Sequence, residues 1–132
     1  MAAGHGTRMG SKLPKQFMSL GGKAILQRTI MKFADACPGI KIITVLPPDG
    51  EHEKWWKDYC IRVNFSCPQI IVRGGITRFH SVKAALAKVP DGAIVAIHDG
   101  VRPMLTKGMI KTMFSSIDTD HDCHALIPVL PS

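Results

Sequence analysis

Ile40-Lys41-Ile42-Ile43-Thr44-Val45-Leu46, followed by Pro47-Pro48-Asp49-Gly50, is β-branched and apolar nearly throughout, then stops abruptly. A short apolar run of this kind, without polar alternation, is expected of a strand covered on both faces. Working outward, the residues before it show helical periodicity. Over Ala24–Ala36, Ile25, Leu26, Thr29, Ile30 and Phe33 share one face and Gln27, Arg28 and Lys32 lie elsewhere, until Pro38-Gly39 ends the helix. After the breakers, Glu51–Cys60 forms the next helix. Its adjacent Trp55 and Trp56 cannot both face one core, so one belongs at the surface or at a contact, with packing preferred to base stacking.

The same alternation continues to the end of the chain. Gln69–Arg73 is a candidate strand, and Gly74-Gly75 follow it. A helix runs from about Thr77 to Lys88 and is ended by Pro90-Asp91-Gly92. Ala93–His98 is another buried strand, delivering Asp99 to its C-terminal end. Gly108–Ile117 is a helix and Ala125–Val129 a last strand. Strands alternating with helices predict an α/β domain with a doubly wound, mostly parallel sheet. In such sheets ligands bind at the carboxyl ends of the strands.

The opening, Met1-Ala-Ala-Gly-His-Gly-Thr-Arg-Met-Gly-Ser-Lys-Leu-Pro-Lys-Gln-Phe17, has a different character. Gly4, Gly6 and Gly10 let several backbone N–H groups approach a ligand, and Arg8, Lys12 and Lys15 add positive charge. Converging donors and cations suit a phosphate chain. The spacing matches neither G-x-G-x-x-G, since Met9 stands at the third glycine, nor G-x-x-x-x-G-K-[ST], since Ala24 follows Gly22-Lys23. On composition alone, a phosphate loop and a glycine-rich surface turn both remain open.

With 132 residues, 45% of them hydrophobic, the chain suits one domain, and no apolar run approaches the ~18 residues of a membrane span. It reads as cytoplasmic. A formal charge of +7 points to anionic partners. Scattered basic residues and 6% aromatics lack the basic-aromatic stripe of nucleic-acid binders, so nucleotides and sugar phosphates are preferred and nucleic acid and membrane are not expected. Cys37, Cys60, Cys67 and Cys123 have no C-x-x-C or zinc spacing and read as free, partly buried thiols. His121-Asp-Cys-His124 reads as a solvated loop rather than a metal site.

Several stretches together carry a resemblance: Ala2-Ala-Gly-His-Gly-Thr-Arg-Met-Gly10, Pro14-Lys-Gln-Phe17, Leu20-Gly-Gly-Lys-Ala-Ile-Leu26, Gly74-Gly-Ile-Thr-Arg-Phe-His-Ser-Val82 and Ile97-His-Asp-Gly-Val-Arg-Pro103. In this order they resemble the 2-C-methyl-D-erythritol 4-phosphate cytidylyltransferase family of sugar-phosphate nucleotidyltransferases, whose close relatives are ribitol 5-phosphate cytidylyltransferases. The resemblance implies a Rossmann-like fold of the nucleotide-diphospho-sugar transferase type. It implies cytidylyl transfer from CTP to methylerythritol phosphate in non-mevalonate isoprenoid synthesis, with Mg²⁺ and a homodimer at full length. Ribitol 5-phosphate is the alternative acceptor, and a non-catalytic nucleotide-binding domain the alternative of another class.

By the same resemblance, Arg8 and Lys15 are catalytic stabilisers of the transition state. Ala2, Ala3, Gly4, Gly6, Gly74, Gly75, Ser81 and Gly100 are nucleotide-binding, with Gly74, Gly75 and Ser81 holding cytosine and ribose. Asp99, Arg102 and Arg78 are substrate-binding, and Asp99 is also the Mg²⁺ ligand. Where some members carry an acidic residue after the glycine pair this chain has Ile76, so any base contact from that side chain is absent. His98 reads as structural. Residues 1–132 correspond to the N-terminal part of the family's domain, lacking its first strand and its C-terminal half with the β-arm. A sheet without that central strand is expected to expose an apolar edge.

Overall fold

The computed structural model describes residues 13–99, 106–117 and 125–130. Its main sheet is built from β3 (Lys41–Leu46), β4 (Ile70–Arg73), β5 (Ile94–Val95), β6 (His98–Asp99) and β7 (Ala125–Leu130). A separate two-stranded hairpin pairs β1 (Ser19–Leu20) with β2 (Lys23–Ala24). The main sheet has the order β4-β3-β7-β5, with β6 also pairing β7, and every pairing in it is parallel. The last strand therefore lies in the middle. β7 covers the flank of β3 that faces away from β4.

β3 is buried from Ile42 to Leu46, and its two faces feed two cores. Ile42 and Leu46 pack with residues of α1 (Ile25–Ala36), α2 (Gly50–Arg62) and α4 (Lys107–Ile117). Ile43 and Val45 pack with Val72 and with Ala85 of α3 (Arg78–Leu86). Alternation along one strand thus places helices on both faces, as the unbroken apolar run predicts. The sheet is doubly wound.

α1 leaves a tight hairpin in which Gly21 and Gly22 both have positive φ, +63° and +89°, the backbone of a two-residue primed turn. Arg28 reaches back to this turn, donating to the carbonyls of Leu20 and Gly21. The helix buries Leu26, Thr29, Ile30, Phe33 and Ala36 as its periodicity predicts. Gln27, assigned by periodicity to a non-core face, is buried as well. The hydroxyl of Tyr59 donates to its Oε1 and accepts from the Ala24 amide at 2.8 Å, so the polar group has a partner inside.

α2 begins at Asp49, whose carboxylate accepts from the His52 amide at 3.0 Å, and Glu51 and Glu53 lie in its positive first turn. Trp56 is fully buried, and its Nε1 donates to Gln69 Oε1 at 3.0 Å. Thr44 Oγ1 donates to the same oxygen at 2.6 Å. Gln69 therefore satisfies a donor from the sheet and one from the helix. The helix closes with Asn64 at φ 58°, allowing the Phe65 amide to reach the Cys60 carbonyl at 2.8 Å.

The expected buried strand over Ala93–His98 is corrected in two respects. It is split into β5 and β6, with Ala96 and Ile97 outside the ladder, and it is only half-buried, with Ile97 46% exposed. The reason is cover: among the described residues α3 lies over β3 and β4, so this stretch receives less from it than β3 does. α4 starts at Thr106, whose hydroxyl accepts from the Met109 amide at 3.2 Å, and buries Ile110 and Phe114. Among the described residues no helix is long and apolar enough to cross a membrane.

Candidate functional site

Because β3, β4 and β6 run parallel through the sheet, their C-terminal residues Leu46, Arg73 and Asp99 point to one edge. The glycine pair continues β4 at this edge. The Gly74 amide donates to the Leu46 carbonyl at 2.7 Å, carrying the β3–β4 ladder one step further. The Gly75 amide then turns to Ser81 and donates to its Oγ at 3.1 Å. Ser81 is 2% exposed, so its hydroxyl shapes the loop from beneath. Gly74 is itself buried and Gly75 half-buried, so the pair forms the floor of this edge.

α3 fixes that loop. Thr77 caps the helix, accepting from the His80 amide at 3.2 Å, and its hydroxyl also lies 2.7 Å from His80 Nδ1. This arrangement presses His80 against Gly75: a Cβ on Gly75 would lie 2.3 Å from His80 Cβ. Only glycine fits there. Ile76, beyond the pair, is 98% exposed.

Arg78, the first residue of α3, meets Asp99 from the other side of the site. Its Nη1 is 3.5 Å from Asp99 Oδ1, with the two side chains 62% and 9% exposed. A carboxylate at a buried strand end needs compensation, and a mobile guanidinium supplies part of it. At this distance and exposure the pair is a loose one, which an incoming ligand can rearrange. His98, next to Asp99, turns the opposite way and meets Phe33 of α1 edge-on at 5.3 Å, a packing role. Asp99 is thus left to the α3 side.

Lys15 comes from a different element. It opens a single 3-10 turn, Lys15–Phe17, in which Gln16 and Phe17 are buried and Lys15 is exposed. The Phe17 ring lies on Trp55 with centroids 4.4 Å apart, and nearly parallel to Trp56 at 5.9 Å. This fastens the turn to the first two turns of α2, directly after the C-terminal end of β3. Of the paired tryptophans, Trp56 is the core residue and Trp55 the half-buried contact residue.

The described residues thus bring Gly74, Gly75, Ser81, Arg78 and Asp99 together, and present Lys15 on an anchored turn. Ala2, Ala3, Gly4, Gly6, Arg8, Gly100, Arg102 and the His121–His124 cluster lie outside the described residues. One cation at this edge was passed over in the sequence. Arg73 ends β4 just before Gly74 and is held 3.4 Å from Glu53 of α2; its position beside the glycine pair was the available signal. Among the described residues no three His, Cys, Asp or Glu side chains gather into a metal cage. A lone carboxylate such as Asp99 does fit a magnesium ion that arrives on phosphate oxygens and needs only one or two protein ligands. Cys60 and Cys67 are free thiols, and burial pushes the Cys60 thiol up to about 11.

The family model for IspD, 2-C-methyl-D-erythritol 4-phosphate cytidylyltransferase, matches residues 1–132. Among curated relatives, the 2-C-methyl-D-erythritol 4-phosphate cytidylyltransferase of Bacteroides thetaiotaomicron is 42% identical over 130 residues, covering 98% of this chain and 57% of that protein. Those of Bacteroides fragilis and Porphyromonas gingivalis are 45% and 44% identical over 114 residues, each covering 86% of this chain and 51% and 50% of the relative. The chain spans about half the length of the curated relatives it matches. The motifs around Lys15, Gly74-Gly75 and Asp99 lie within a match that runs from the first residue to the last, and this chain belongs to the 2-C-methyl-D-erythritol 4-phosphate cytidylyltransferase family.

Proposed function

We propose that the intact protein transfers a cytidylyl group from CTP to 2-C-methyl-D-erythritol 4-phosphate in non-mevalonate isoprenoid synthesis. The observation that carries this reading is the family match over residues 1–132. The reading makes it a cytoplasmic homodimer.

In the reaction a phosphate oxygen of the acceptor attacks the α-phosphorus of CTP, the bond from that phosphorus to the bridging oxygen of the β-phosphate breaks, and pyrophosphate leaves. Two anions must meet, so positioning and charge stabilisation dominate over covalent chemistry. Lys15 offers a mobile point charge and Arg8 a planar fork to the phosphate oxygens. Gly74 and Gly75 present backbone groups to cytosine and ribose, with Ala2, Ala3, Gly4, Gly6 and Gly100 completing the nucleotide contacts. Ser81 serves by holding Gly75 in place. Magnesium, when bound, supplies charge neutralisation at the triphosphate. Asp99 would hold it together with phosphate oxygens, and Arg78, released from Asp99, and Arg102 would take phosphate groups.

The test uses the intact gene product with CTP and Mg²⁺, offered methylerythritol 4-phosphate and ribitol 5-phosphate together, with products identified by mass. CDP-methylerythritol is expected. Lys15→Ala is expected to lower kcat by about 10²–10³-fold, the usual cost of one electrostatic stabiliser. CDP-ribitol would reassign the acceptor, and no pyrophosphate from either acceptor would overturn the reading.

A further inference from the structure

We infer that Trp55 is a positioning residue for Lys15, acting through Phe17. The inference rests on the role proposed for Lys15.

A single 3-10 turn closes few hydrogen bonds and holds its shape only when something else fixes it. In the Lys15–Phe17 turn the backbone bonds run from the Phe17 amide to Pro14 at 3.0 Å and from the Met18 amide to Lys15 at 3.1 Å. The Ile25 amide also donates to the Met18 carbonyl at 2.9 Å and Gln16 is buried, while the hold on the Phe17 ring is aromatic. Phe17 is 2% exposed and its nearest aromatic ring is Trp55, at 4.4 Å and 18° between planes. Trp55 in turn lies 5.3 Å from Tyr59 at 8°, and Tyr59 is tied by its hydroxyl to Ala24 and Gln27. The stack therefore runs from two buried hydrogen bonds, through Tyr59 and Trp55, to the turn that carries Lys15.

The neighbouring tryptophan shows why this is more than packing. Trp56 is fully buried and bonded to Gln69, which serves the core. Trp55 is half-buried and adds to the core cluster only from its margin, yet it makes the closer contact with Phe17. Its removal loosens the seat of Phe17 more than it opens the core. Because a displacement of about 1 Å in a positioned group can cost about 10²-fold in rate, a loosened turn is felt in kcat before it is felt in binding.

The experiment compares Trp55→Ala, Trp55→Phe and Phe65→Leu in the intact gene product. Phe65 packs on Trp56 at 6.3 Å, so its variant weakens the same cluster without touching the Phe17–Trp55 contact. Two readouts are taken. The first is kcat and KM for CTP: Trp55→Ala is expected to lose about 10- to 100-fold in kcat with KM changed less than threefold, Trp55→Phe to recover most of it, and Phe65→Leu to keep kcat. The second needs no activity: tryptic cleavage after Lys15, followed by mass. Gln16 and Phe17 are buried, so the Lys15–Gln16 bond is protected, and Trp55→Ala is expected to speed its cleavage at least tenfold while Phe65→Leu does not. Unchanged cleavage after Lys15 in Trp55→Ala, or equal acceleration in Phe65→Leu, overturns the inference. Accelerated cleavage without loss of kcat shows that the turn is held by Trp55 but that Lys15 is not catalytic, which refutes the Lys15 role and the inference with it.

Discussion

Replacing Gly75 by alanine would place a methyl group 2.3 Å from His80 Cβ, with the His80 carbonyl carbon at 3.3 Å and Cα at 3.4 Å. None of these atoms belongs to a flexible side-chain end. His80 Cβ is fixed to α3, and α3 is capped in place by Thr77. Restoring a contact of 3.4 Å therefore requires a movement of about 1 Å (3.4 − 2.3) from the loop or the helix. Such a shift stretches the Gly75 amide bond to Ser81, now 3.1 Å, out of hydrogen-bonding range. Overpacking of this kind costs about 1–3 kcal/mol and the lost bond about 1 kcal/mol, so a total near 2–4 kcal/mol is expected. Urea titration of the intact gene product measures it, and CTP affinity should fall in parallel as the glycine pair moves. The mechanism has a sharper check in a double-mutant cycle. His80→Gly alone costs about 1 kcal/mol as a helix glycine, but it removes the atom that the new methyl strikes. The double variant should then be more stable than the sum of the single losses predicts, by about 1 kcal/mol or more. Additivity within about 0.5 kcal/mol would refute the steric argument.

Two further outcomes test other parts of the fold. Gln69→Leu removes the oxygen that accepts from both Thr44 and Trp56, two residues that are fully buried. With about 1–3 kcal/mol for each orphaned donor, a loss of about 2–6 kcal/mol in a denaturant titration is expected. A loss below about 0.5 kcal/mol would show that Gln69 is not the acceptor that matters. The Cys60 thiol, raised by burial from 9.0 to about 11, predicts an alkaline effect. Its neutral form is favoured in the folded state, so this contribution is fully present below pH 9, where both states keep the proton. It is lost between pH 9 and 11, as the unfolded thiol ionises while the folded one does not. Cys60→Ala should therefore flatten the fall in thermal midpoint across that window, and an unchanged fall would assign it to other groups.

Much of the architecture was legible because it rests on local pattern. The unbroken apolar run over Ile42–Leu46 announced a strand covered on both faces, and its alternate residues do enter two cores. The Pro47–Gly50 breaker announced the end of β3 and Thr77 a helix start, because strand breakers and capping hydroxyls act over three or four residues. The site residues around Gly74-Gly75, Ser81 and Asp99 were legible through their motifs, but their mutual geometry was not.

What a residue's own neighbours do not determine was read less well. Gln27 is polar and belonged, by periodicity, away from the core; a hydroxyl 32 residues away gives it a partner and allows its burial. The strand over Ala93–His98 has the composition of a buried one, yet burial depends on what lies above it, and α3 covers β3 and β4 instead. Trp55 and Trp56 are the same residue type in adjacent positions, and the distant residues that reach them, Gln69 at Trp56 and Phe17 most closely at Trp55, separate core from contact. Sequence alone determined the periods, turns and chemical motifs, because these depend on residue type and spacing. Tertiary structure decided which strand lies in the middle of the sheet, which polar groups are buried, and that Arg78 meets Asp99, because each depends on segments distant in the chain being packed together.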